Sequence, residues 1–286
     1  MKPAHLKTKI FLDSGDPAET REALELLGFL DGQTTNPTLI SKNPAVQAQI
    51  AAGKKYSKQE IFDLYRQVVT EISSLIPEGS VSIEVFADKT TTAQEMFTQG
   101  REMFSWIPNA HIKYPTTTEG LEAAEQSVKE GMRVNMTLVF SQEQGAAVYS
   151  ATRGAQKGAV FLSPFIGRLD DLDQNGMDLI KNIIQMYKTG DGHVEVLTAS
   201  IRTNDHLLGA LQLGTDIVTA PLKTYKEWFE NGMVIPENYV YNAEGLSPIE
   251  FKEVDLDKDW QEFNIQHELT EKGIEKFVSD WNNLIE

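Results

Sequence analysis

The stretch His111-Ile112-Lys113-Tyr114-Pro115-Thr116-Thr117-Thr118-Glu119-Gly120 joins a short strand-like run, a turn and a helix start, with a lysine near the end of the run. A lysine at such a strand end sits in a partly dry pocket, where burial disfavours the ammonium form. An uncharged lysine amine is a nucleophile for ketones. The stretch therefore predicts one strand–helix unit and, in Lys113, a candidate for covalent catalysis.

The same unit repeats along the chain. Continuous apolar runs, typical of strands covered on both faces, alternate with longer helical patterns. We predict eight strands, over Lys9–Leu12, Gly32–Thr35, Val81–Val85, His111–Tyr114, Val134–Phe140, Ala159–Leu162, Val194–Thr198 and Ile217–Thr219. Eight such units favour an α/β fold of the (β/α)8 TIM-barrel type. The alternative is an open doubly wound sheet, but no G-x-G-x-x-G or P-loop follows any of the strands.

Helix starts and irregular segments complete the predicted organisation. Helices are predicted to start at Asp16-Pro17, at Ser57 with Glu60, at Thr116 with Glu119, at Ser141 with Gln144, and at Asn204. Residues 41–57 form an extra loop or helix after the second strand. Residues 237–268 lack a clear period and lead to a final amphipathic helix. We therefore predict a catalytic barrel over 1–236 and a C-terminal helical extension over 237–286 that packs on the barrel, over its mouth or over a neighbouring subunit.

Composition narrows the function classes. The chain has 286 residues, of which 41% are hydrophobic, so it can bury a large core. It has no cysteine, which excludes disulfides and thiolate chemistry. A net charge of −16 predicts no binding to nucleic acid or to anionic membranes. Without an apolar leader or a long apolar run, we expect a soluble, cytoplasmic protein; its oligomeric state stays open, a homo-oligomer included.

Polar residues lie where the predicted strands end, and the carboxyl ends of barrel strands converge on one face. The ends supply two carboxylates, one lysine, two asparagines, two arginines and several hydroxyls: Asp13, Glu84, Lys113, Asn36, Asn135, Arg168, Arg202, Thr137, Ser163 and Ser200. A lysine amine with nearby carboxylates suits Schiff-base chemistry on a ketone, and the arginines with a serine suit a phosphate. The histidines His5, His111, His193, His206 and His267 lack metal-site spacing, so no metal is expected.

Six motifs occur in an order that resembles the transaldolase family. They are Phe11-Leu12-Asp13-Ser14, Thr34-Thr35-Asn36-Pro37, Ile112-Lys113-Tyr114-Pro115, Asn135-Met136-Thr137-Leu138-Val139-Phe140-Ser141, Ser163-Pro164-Phe165-Ile166-Gly167-Arg168 and Ala199-Ser200-Ile201-Arg202. The resemblance implies a (β/α)8 barrel that needs no metal or organic cofactor. It also implies transfer of a dihydroxyacetone unit between sedoheptulose 7-phosphate or fructose 6-phosphate and glyceraldehyde 3-phosphate or erythrose 4-phosphate, in the pentose phosphate pathway.

The resemblance also implies a role for each strand-end residue. Lys113 would form the Schiff base, and Asp13 would move the proton of the C4 hydroxyl. Glu84 and Thr137 would position the water of imine formation and hydrolysis. The dihydroxyacetone hydroxyls would be held by Asn36, Asn135 and Ser163, and the phosphate by Arg168, Ser200 and Arg202.

Rival functions share most of these residues. A fructose 6-phosphate aldolase releases free dihydroxyacetone, and in those relatives a tyrosine stands where this chain has Phe165, so the sequence favours the transferase. A non-catalytic barrel that binds a sugar phosphate would be expected to have lost Lys113 or Asp13, and neither is lost.

Structural roles compete with the catalytic ones at several positions. Glu84 is also a candidate salt-bridge partner for Lys113, and Asn36-Pro37 is a common turn pair. Arg168 has a structural alternative in an ion pair with Asp170 or Asp171, whereas Arg202 has less competition. In addition, Tyr114 and His111 flank the lysine where the family pattern does not require them.

Overall fold

The strands of the described residues close into one parallel barrel. The computed structural model describes residues 2–3 and 6–285, and the prediction that His5 binds no metal lies outside this range. The barrel runs in sequence order through β1 (Lys9–Asp13), β2 (Gly32–Thr34), β3 (Ser80–Glu84), β4 (Ala110–Pro115), β5 (Val134–Val139), β6 (Val160–Pro164), β7 (Val194–Thr198) and β8 (Ile217–Ala220). β8 pairs with β1 to close the ring. The predicted (β/α)8 barrel is confirmed.

Helices follow every strand of this ring. They are α1 (Pro17–Leu27), α2 (Pro37–Ser41), α3 (Pro44–Ala51), α4 (Lys58–Leu75), α5 (Ala93–Phe104), α6 (Thr118–Lys129), α7 (Gln142–Ala151), α8 (Ile166–Asp170), α9 (Gly176–Tyr187), α10 (Asn204–Leu213), α11 (Leu222–Glu230) and α12 (Glu268–Asn282). The extra element expected between 41 and 57 is the short helix α3. The described helices include none with both the length and the apolarity that crossing a bilayer demands.

Three of the five predicted helix starts agree with the structure. Asp16 and Ser141 cap α1 and α7, and Ser57 forms a capping box with Glu60. Two predictions were wrong by one residue: the caps are Thr117 for α6 and Thr203 for α10, each with a hydroxyl that accepts from the backbone N–H three residues on. Both errors arose because adjacent polar residues can each cap a helix, and only the backbone path selects one.

His111 and Tyr114, which lie on β4 beside Lys113, both have structural roles. His111 stacks on Phe161 at 4.0 Å, and its ring nitrogens contact Ser80 and the carbonyl of Gly158. Burial lowers the pKa of His111 to about 3, so the ring is a neutral core group. Tyr114 points outward into the helical layer, where Gly100 leaves room for its ring.

The C-terminal segment wraps the barrel before it returns to the mouth. Residues 231–267, which we call the strap, are irregular apart from one 3-10 turn at Trp260–Glu262. The strap is tied to α9 through Asn182 and the carbonyl of Ile249, and to α7 through Gln142 and the backbone N–H of Lys252. The helix α12 then packs against α2 and β5. The division of the chain at residue 236 stays a prediction.

Candidate active site

Strand register brings the catalytic candidates side by side at the carboxyl ends of the strands. Glu84 on β3 is level with Lys113 on β4, and Lys113 is level with Asn135 on β5. All six residues of β4 and all six of β5 are buried, the polar ones included. Because buried polar groups need a partner or a function, these positions separate the site from an ordinary apolar barrel core.

Lys113 and Glu84 form a buried ion pair. The Nζ atom of Lys113 lies 2.9 Å from Oε2 of Glu84, and each side chain is 3% exposed. Nζ also donates to the carbonyl of Thr35 at 3.1 Å. The predicted salt bridge is therefore present, and the carboxylate lies within reach of a proton from the amine.

The surroundings of Asp13 and Glu84 raise the pKa values of both carboxyl groups, which favours proton uptake. Burial raises the pKa of Asp13, and the nearby Lys113 offsets this only in part. Burial likewise raises the pKa of Glu84 against the opposing effect of Lys113. Asp13 accepts a hydrogen bond of 2.6 Å from the hydroxyl of Thr34, which fixes its orientation. Two carboxyls with raised pKa values beside one lysine suit general acid–base work.

The residues predicted to hold substrate hydroxyls are linked to one another. Ser163 donates to Oδ1 of Asn135 at 2.6 Å, and Nδ2 of Asn135 donates to Ser82 at 3.0 Å. Asn36 caps α2 by accepting from the backbone N–H of Leu39 at 2.9 Å, so the expected turn role is real. The hydroxyl of Thr137 is buried and has no partner in the part of the chain that the structure describes.

One cavity of about 260 Å³ collects most of the predicted site residues. Asp13, Asn36, Lys113, Ser163, Phe165, Arg168, Ser200 and Arg202 line it. Asn135 and Thr137 are not among the residues that line it, and Glu84 lines a second cavity of about 280 Å³ with Phe62, Phe86 and Trp281. Lys113, Asp13 and the two arginines therefore share one sugar-sized cavity.

The arginines differ from expectation in their partners. Arg202 makes a two-pronged ion pair with Asp171, at 2.5 and 2.7 Å, so the expectation that Arg202 has less competition than Arg168 was wrong. Arg168 instead lies over the rings of Phe165 and Phe277, at 5.2 and 5.6 Å from their centres. The close approach of Gly167 to the Arg202 side chain explains the exchange, because it brings the Arg202 loop against α8, which ends one residue before Asp171.

The loop of Ser200 and Arg202 is held in an unusual conformation. Ser200 has a φ of 59°, in the left-handed region that a serine adopts only under constraint. The backbone N–H of Arg202 donates to Nδ1 of His206 at 3.2 Å, and Nε2 of His206 contacts Asp170 at 2.8 Å. Asp170 therefore serves His206 rather than Arg168.

Several functional neighbours were not found in the sequence. The hydroxyl of Tyr65 accepts from the backbone N–H of Glu84 at 2.9 Å and lies 2.6 Å from the hydroxyl of Thr35. Since Thr35 donates its own proton to the carbonyl of Ser82, Tyr65 donates to Thr35. Tyr65 thus supports both contacts of Lys113, although the sequence identified it only as one member of a helical stripe.

Lys42, Lys276 and Phe277 also line the substrate-sized cavity. Lys42 follows the Asn36 helix closely enough to have been suspected. Lys276 and Phe277 belong to α12, and nothing local in the sequence connects them to the barrel strands. Among the described residues, no three His, Asp or Glu side chains converge as a metal site does.

Comparisons with known proteins agree with this geometry. The model of the family described as transaldolase/fructose-6-phosphate aldolase matches residues 10–286. The chain is 36% identical over 276 residues to a probable transaldolase of Dehalococcoides mccartyi, covering 96% of this chain and 99% of that protein. A probable transaldolase of Herpetosiphon aurantiacus is 35% identical, with 96% of both chains covered.

A solved structure supports the fold alone. The crystal structure of 3-hexulose-6-phosphate synthase from Salmonella typhimurium has a TM-score of 0.50 at 12% identity, over 78% of this chain and 97% of that one. The six ordered motifs, the buried lysine at the barrel mouth and the family match lead to one conclusion. The chain belongs to the transaldolase/fructose-6-phosphate aldolase family.

Proposed function

We propose that this protein is a transaldolase, which moves a dihydroxyacetone unit from a ketose phosphate to an aldose phosphate. The observation that supports the proposal is the shared cavity, which Lys113, Asp13, Arg168 and Arg202 all line. In the proposed complex a phosphorylated ketose lies in this cavity with its carbonyl at the lysine and its phosphate at the arginines. Because the chain carries a net charge of −16, this local positive charge is what attracts an anionic substrate.

The first step is formation of the imine. Lys113 gives its ammonium proton to Glu84, whose Oε2 lies 2.9 Å away, and the free amine attacks the C2 carbonyl. The carbinolamine then loses water to give the iminium. Glu84 protonates the leaving water, and Thr137, whose buried hydroxyl has no hydrogen-bond partner among the described residues, holds it.

The second step is cleavage of the C3–C4 bond. Asp13 takes the proton of the C4 hydroxyl, the C4 oxygen becomes the aldehyde, and the bonding electrons move into the iminium to form an enamine. The raised pKa of Asp13 suits a base that must afterwards return this proton. Asn36 and Ser163 hold the retained hydroxyls, with Asn135 orienting Ser163. An acceptor aldehyde then reverses the sequence, and water releases the new ketose.

Phe165 favours the transferase over a lyase that releases dihydroxyacetone. Its ring is buried between Arg168 and Phe140 and has no proton to give. Without a donor there, the enamine carbon is not readily protonated and waits for an acceptor aldehyde. We further propose that the donors and acceptors are sedoheptulose 7-phosphate, fructose 6-phosphate, glyceraldehyde 3-phosphate and erythrose 4-phosphate, which places the reaction in the pentose phosphate pathway. The cytoplasmic location stays a prediction.

The test is borohydride reduction in the presence of fructose 6-phosphate, followed by peptide mass spectrometry. We expect reduced dihydroxyacetone on the peptide that holds Lys113. Addition of erythrose 4-phosphate should then give sedoheptulose 7-phosphate faster than free dihydroxyacetone appears without acceptor. Dihydroxyacetone released in proportion to turnover would identify a lyase, and tight binding of the sugar phosphate with no adduct would identify a non-catalytic binding protein.

A further inference from the structure

The strand that carries Thr137 leaves regular geometry immediately after it. Its ladder with β6 pairs Met136 with Leu162 and then shifts, so that the next pair is Val139 with Pro164. Within this bulge Leu138 has a φ of 59°, which is uncommon for a leucine and costs roughly 1–2 kcal/mol. Such a conformation persists only where its surroundings impose it.

The C-terminal helix α12 imposes the left-handed conformation of Leu138 through a residue that lies 132 positions later in the sequence. The hydroxyl of Thr270, on α12, donates to the carbonyl of Leu138 at 2.9 Å, and Thr270 is buried. Gln144 holds that hydroxyl by donating to it at 2.9 Å, while its own carbonyl accepts from the backbone N–H of Phe140 at 2.7 Å. These bonds enclose the bulge on both sides.

Close packing adds to the hydrogen bonds. One turn after Thr270, a Cβ at Gly273 would lie only 2.6 Å from the Leu138 side chain. The helix therefore presses its backbone against Leu138 at a point where only glycine leaves space. Displacement of α12 would release both the hydrogen bond and this contact.

Thr137 depends on the bulge for its position. Its hydroxyl has no hydrogen-bond partner within residues 2–3 and 6–285, so the backbone alone aims it. Its carbonyl accepts from the backbone N–H and the hydroxyl of Thr116, at 3.0 and 2.9 Å. The next peptide is held by Thr270. Thr116 and Thr270 thus fix the two successive carbonyls that follow the Thr137 Cα.

We propose that Thr270 is a positioning residue for Thr137 and that α12 thereby takes part in the water step of imine formation and hydrolysis. This inference rests on the proposed function. It assigns to the C-terminal helix a role in catalysis beyond covering the cavity, exerted through the Leu138 carbonyl. It predicts that loss of the Thr270 hydroxyl slows turnover without weakening the binding of the sugar phosphate.

A double-mutant cycle tests the coupling between Thr270 and Thr137. It compares Thr270→Val, Thr137→Val and the double variant, and it measures kcat and KM for transfer from fructose 6-phosphate to erythrose 4-phosphate. We expect Thr270→Val to lower kcat by about 10- to 100-fold at nearly constant KM, the scale of a small misplacement of a catalytic group. In the Thr137→Val background the same change should lower kcat by no more than about 3-fold, because the group it positions is gone. Thr270→Ser should restore most of the activity.

Exchange of the C2 oxygen of fructose 6-phosphate with 18O-labelled water provides a second readout, since this exchange reports imine formation and reversal without C–C cleavage. It should fall in parallel with kcat. Thr8→Val is the matched control, because Thr8 is also buried and donates to a backbone carbonyl, that of Thr215, at 2.8 Å. Thr8 lies at the start of β1, away from the mouth. If valine at 270 prevents folding, Thr270→Cys keeps the volume and a weak donor and should show the same coupling at smaller amplitude.

The inference would be overturned if Thr270→Val lowered kcat by the same factor in the wild-type and Thr137→Val backgrounds. A rise in KM with constant kcat in Thr270→Val would overturn it as well. A wild-type protein that formed no borohydride adduct would instead overturn the proposed function. An active wild type with additive losses would leave that function standing and refute the role of Thr270 alone.

Discussion

The amine of Lys113 and the carboxylate of Glu84 lie 2.9 Å apart in the interior of the barrel, each 3% exposed. Burial of two charges costs several kcal/mol for each ion, and their attraction repays this only with good geometry. Burial raises the pKa of Glu84 in spite of Lys113, which favours the protonated carboxyl. Movement of one proton from Nζ to Oε2 would leave both groups neutral and the amine free to attack a ketone. We therefore expect the pair to serve the proposed chemistry at some expense in stability.

Removal of the amine should abolish activity and leave the fold. In Lys113→Met we expect kcat to fall by about 10³-fold or more and no borohydride adduct, because only lysine supplies the amine. Loss of the Lys113 charge, which lowers the pKa of Glu84, raises that pKa further above its ordinary value of 4.5. The variant therefore loses stability as the pH rises from 4.5 toward the folded pKa of Glu84, and its melting temperature should fall further below that of wild type over this range. Substantial turnover in this variant would contradict the assignment of the nucleophile.

Replacement of Asp13 should separate adduct formation from cleavage. Asp13→Asn keeps the shape and the bond from Thr34, so the adduct with fructose 6-phosphate should still be trapped while transfer slows by about 10³-fold. Trapped protein should therefore accumulate in its uncleaved six-carbon form. Mass spectrometry that found the three-carbon adduct at the wild-type rate would exclude Asp13 as the cleavage base.

The same variant makes a prediction about pH and stability. The folded pKa of Asp13 is raised, so the wild type loses stability as the pH rises from the ordinary value of 3.8 through the folded value. Asparagine does not titrate. The melting temperature of Asp13→Asn relative to that of wild type should therefore be higher at pH 7 than at pH 4. A difference that did not change with pH would contradict this account.

The ring of Phe165 should decide the fate of the enamine. Phe165→Tyr adds a hydroxyl to the wall of the cavity that Lys113 also lines, as a proton donor for the enamine carbon. We expect release of free dihydroxyacetone from fructose 6-phosphate to rise by about 10-fold or more while transfer to erythrose 4-phosphate falls. An enzymatic assay for dihydroxyacetone without acceptor measures the change. Phe140→Tyr, an aromatic neighbour at 6.0 Å from the Phe165 ring centre, is the control and should not raise the release.

Tyr65 should support the site from outside. Tyr65→Phe leaves the backbone N–H of Glu84 and the hydroxyl of Thr35 without their buried partner, at a cost of about 1–3 kcal/mol in unfolding free energy. Because both neighbours contact Lys113, kcat should also fall, by about 10-fold. Tyr114→Phe is the matched control: its hydroxyl is also buried, contacts Ser127 at 3.0 Å and lies outside the site. Equal losses of kcat in both variants would indicate a general effect of destabilisation.

Arg168 should serve the phosphate and not the chemistry. In Arg168→Gln we expect KM for fructose 6-phosphate to rise by about 10- to 100-fold, since a charge-assisted contact to phosphate is lost. Turnover of unphosphorylated fructose should stay as slow as in wild type. The comparison of the two substrates is the measurement. A similar loss with both substrates would mean that Arg168 mainly supports the ring stack with Phe165 and Phe277.

The barrel and the residues at its mouth were predictable because they depend on short-range pattern. Apolar runs of strand length between helical patterns predicted the eight strands within about two residues. The ends of the strands also supplied the polar candidates, such as Asn135 and Thr137, which are buried. The capped helix starts failed by one residue at Thr117 and Thr203, where neighbouring polar residues offered equal local signals.

The partners of these residues were not predictable, because they come from distant parts of the chain. Whether Asp171 would pair with Arg168 or Arg202 depended on how two loops pack around Gly167. The support from Tyr65 depended on the position of α4 behind β3.

The sequence alone therefore determined the barrel and the set of polar residues at its strand ends, since periodicity and strand ends are local properties. It left open whether the C-terminal extension covers the mouth or a neighbouring subunit, and tertiary structure decided that α12 packs at the mouth, with Phe277 at Arg168 and Thr270 at the Leu138 bulge. That outcome depends on the path of the strap through residues 231–267, which has no period to read. Contacts across more than a hundred residues are selected by packing and hydrogen bonding in the folded chain, and no local pattern encodes them.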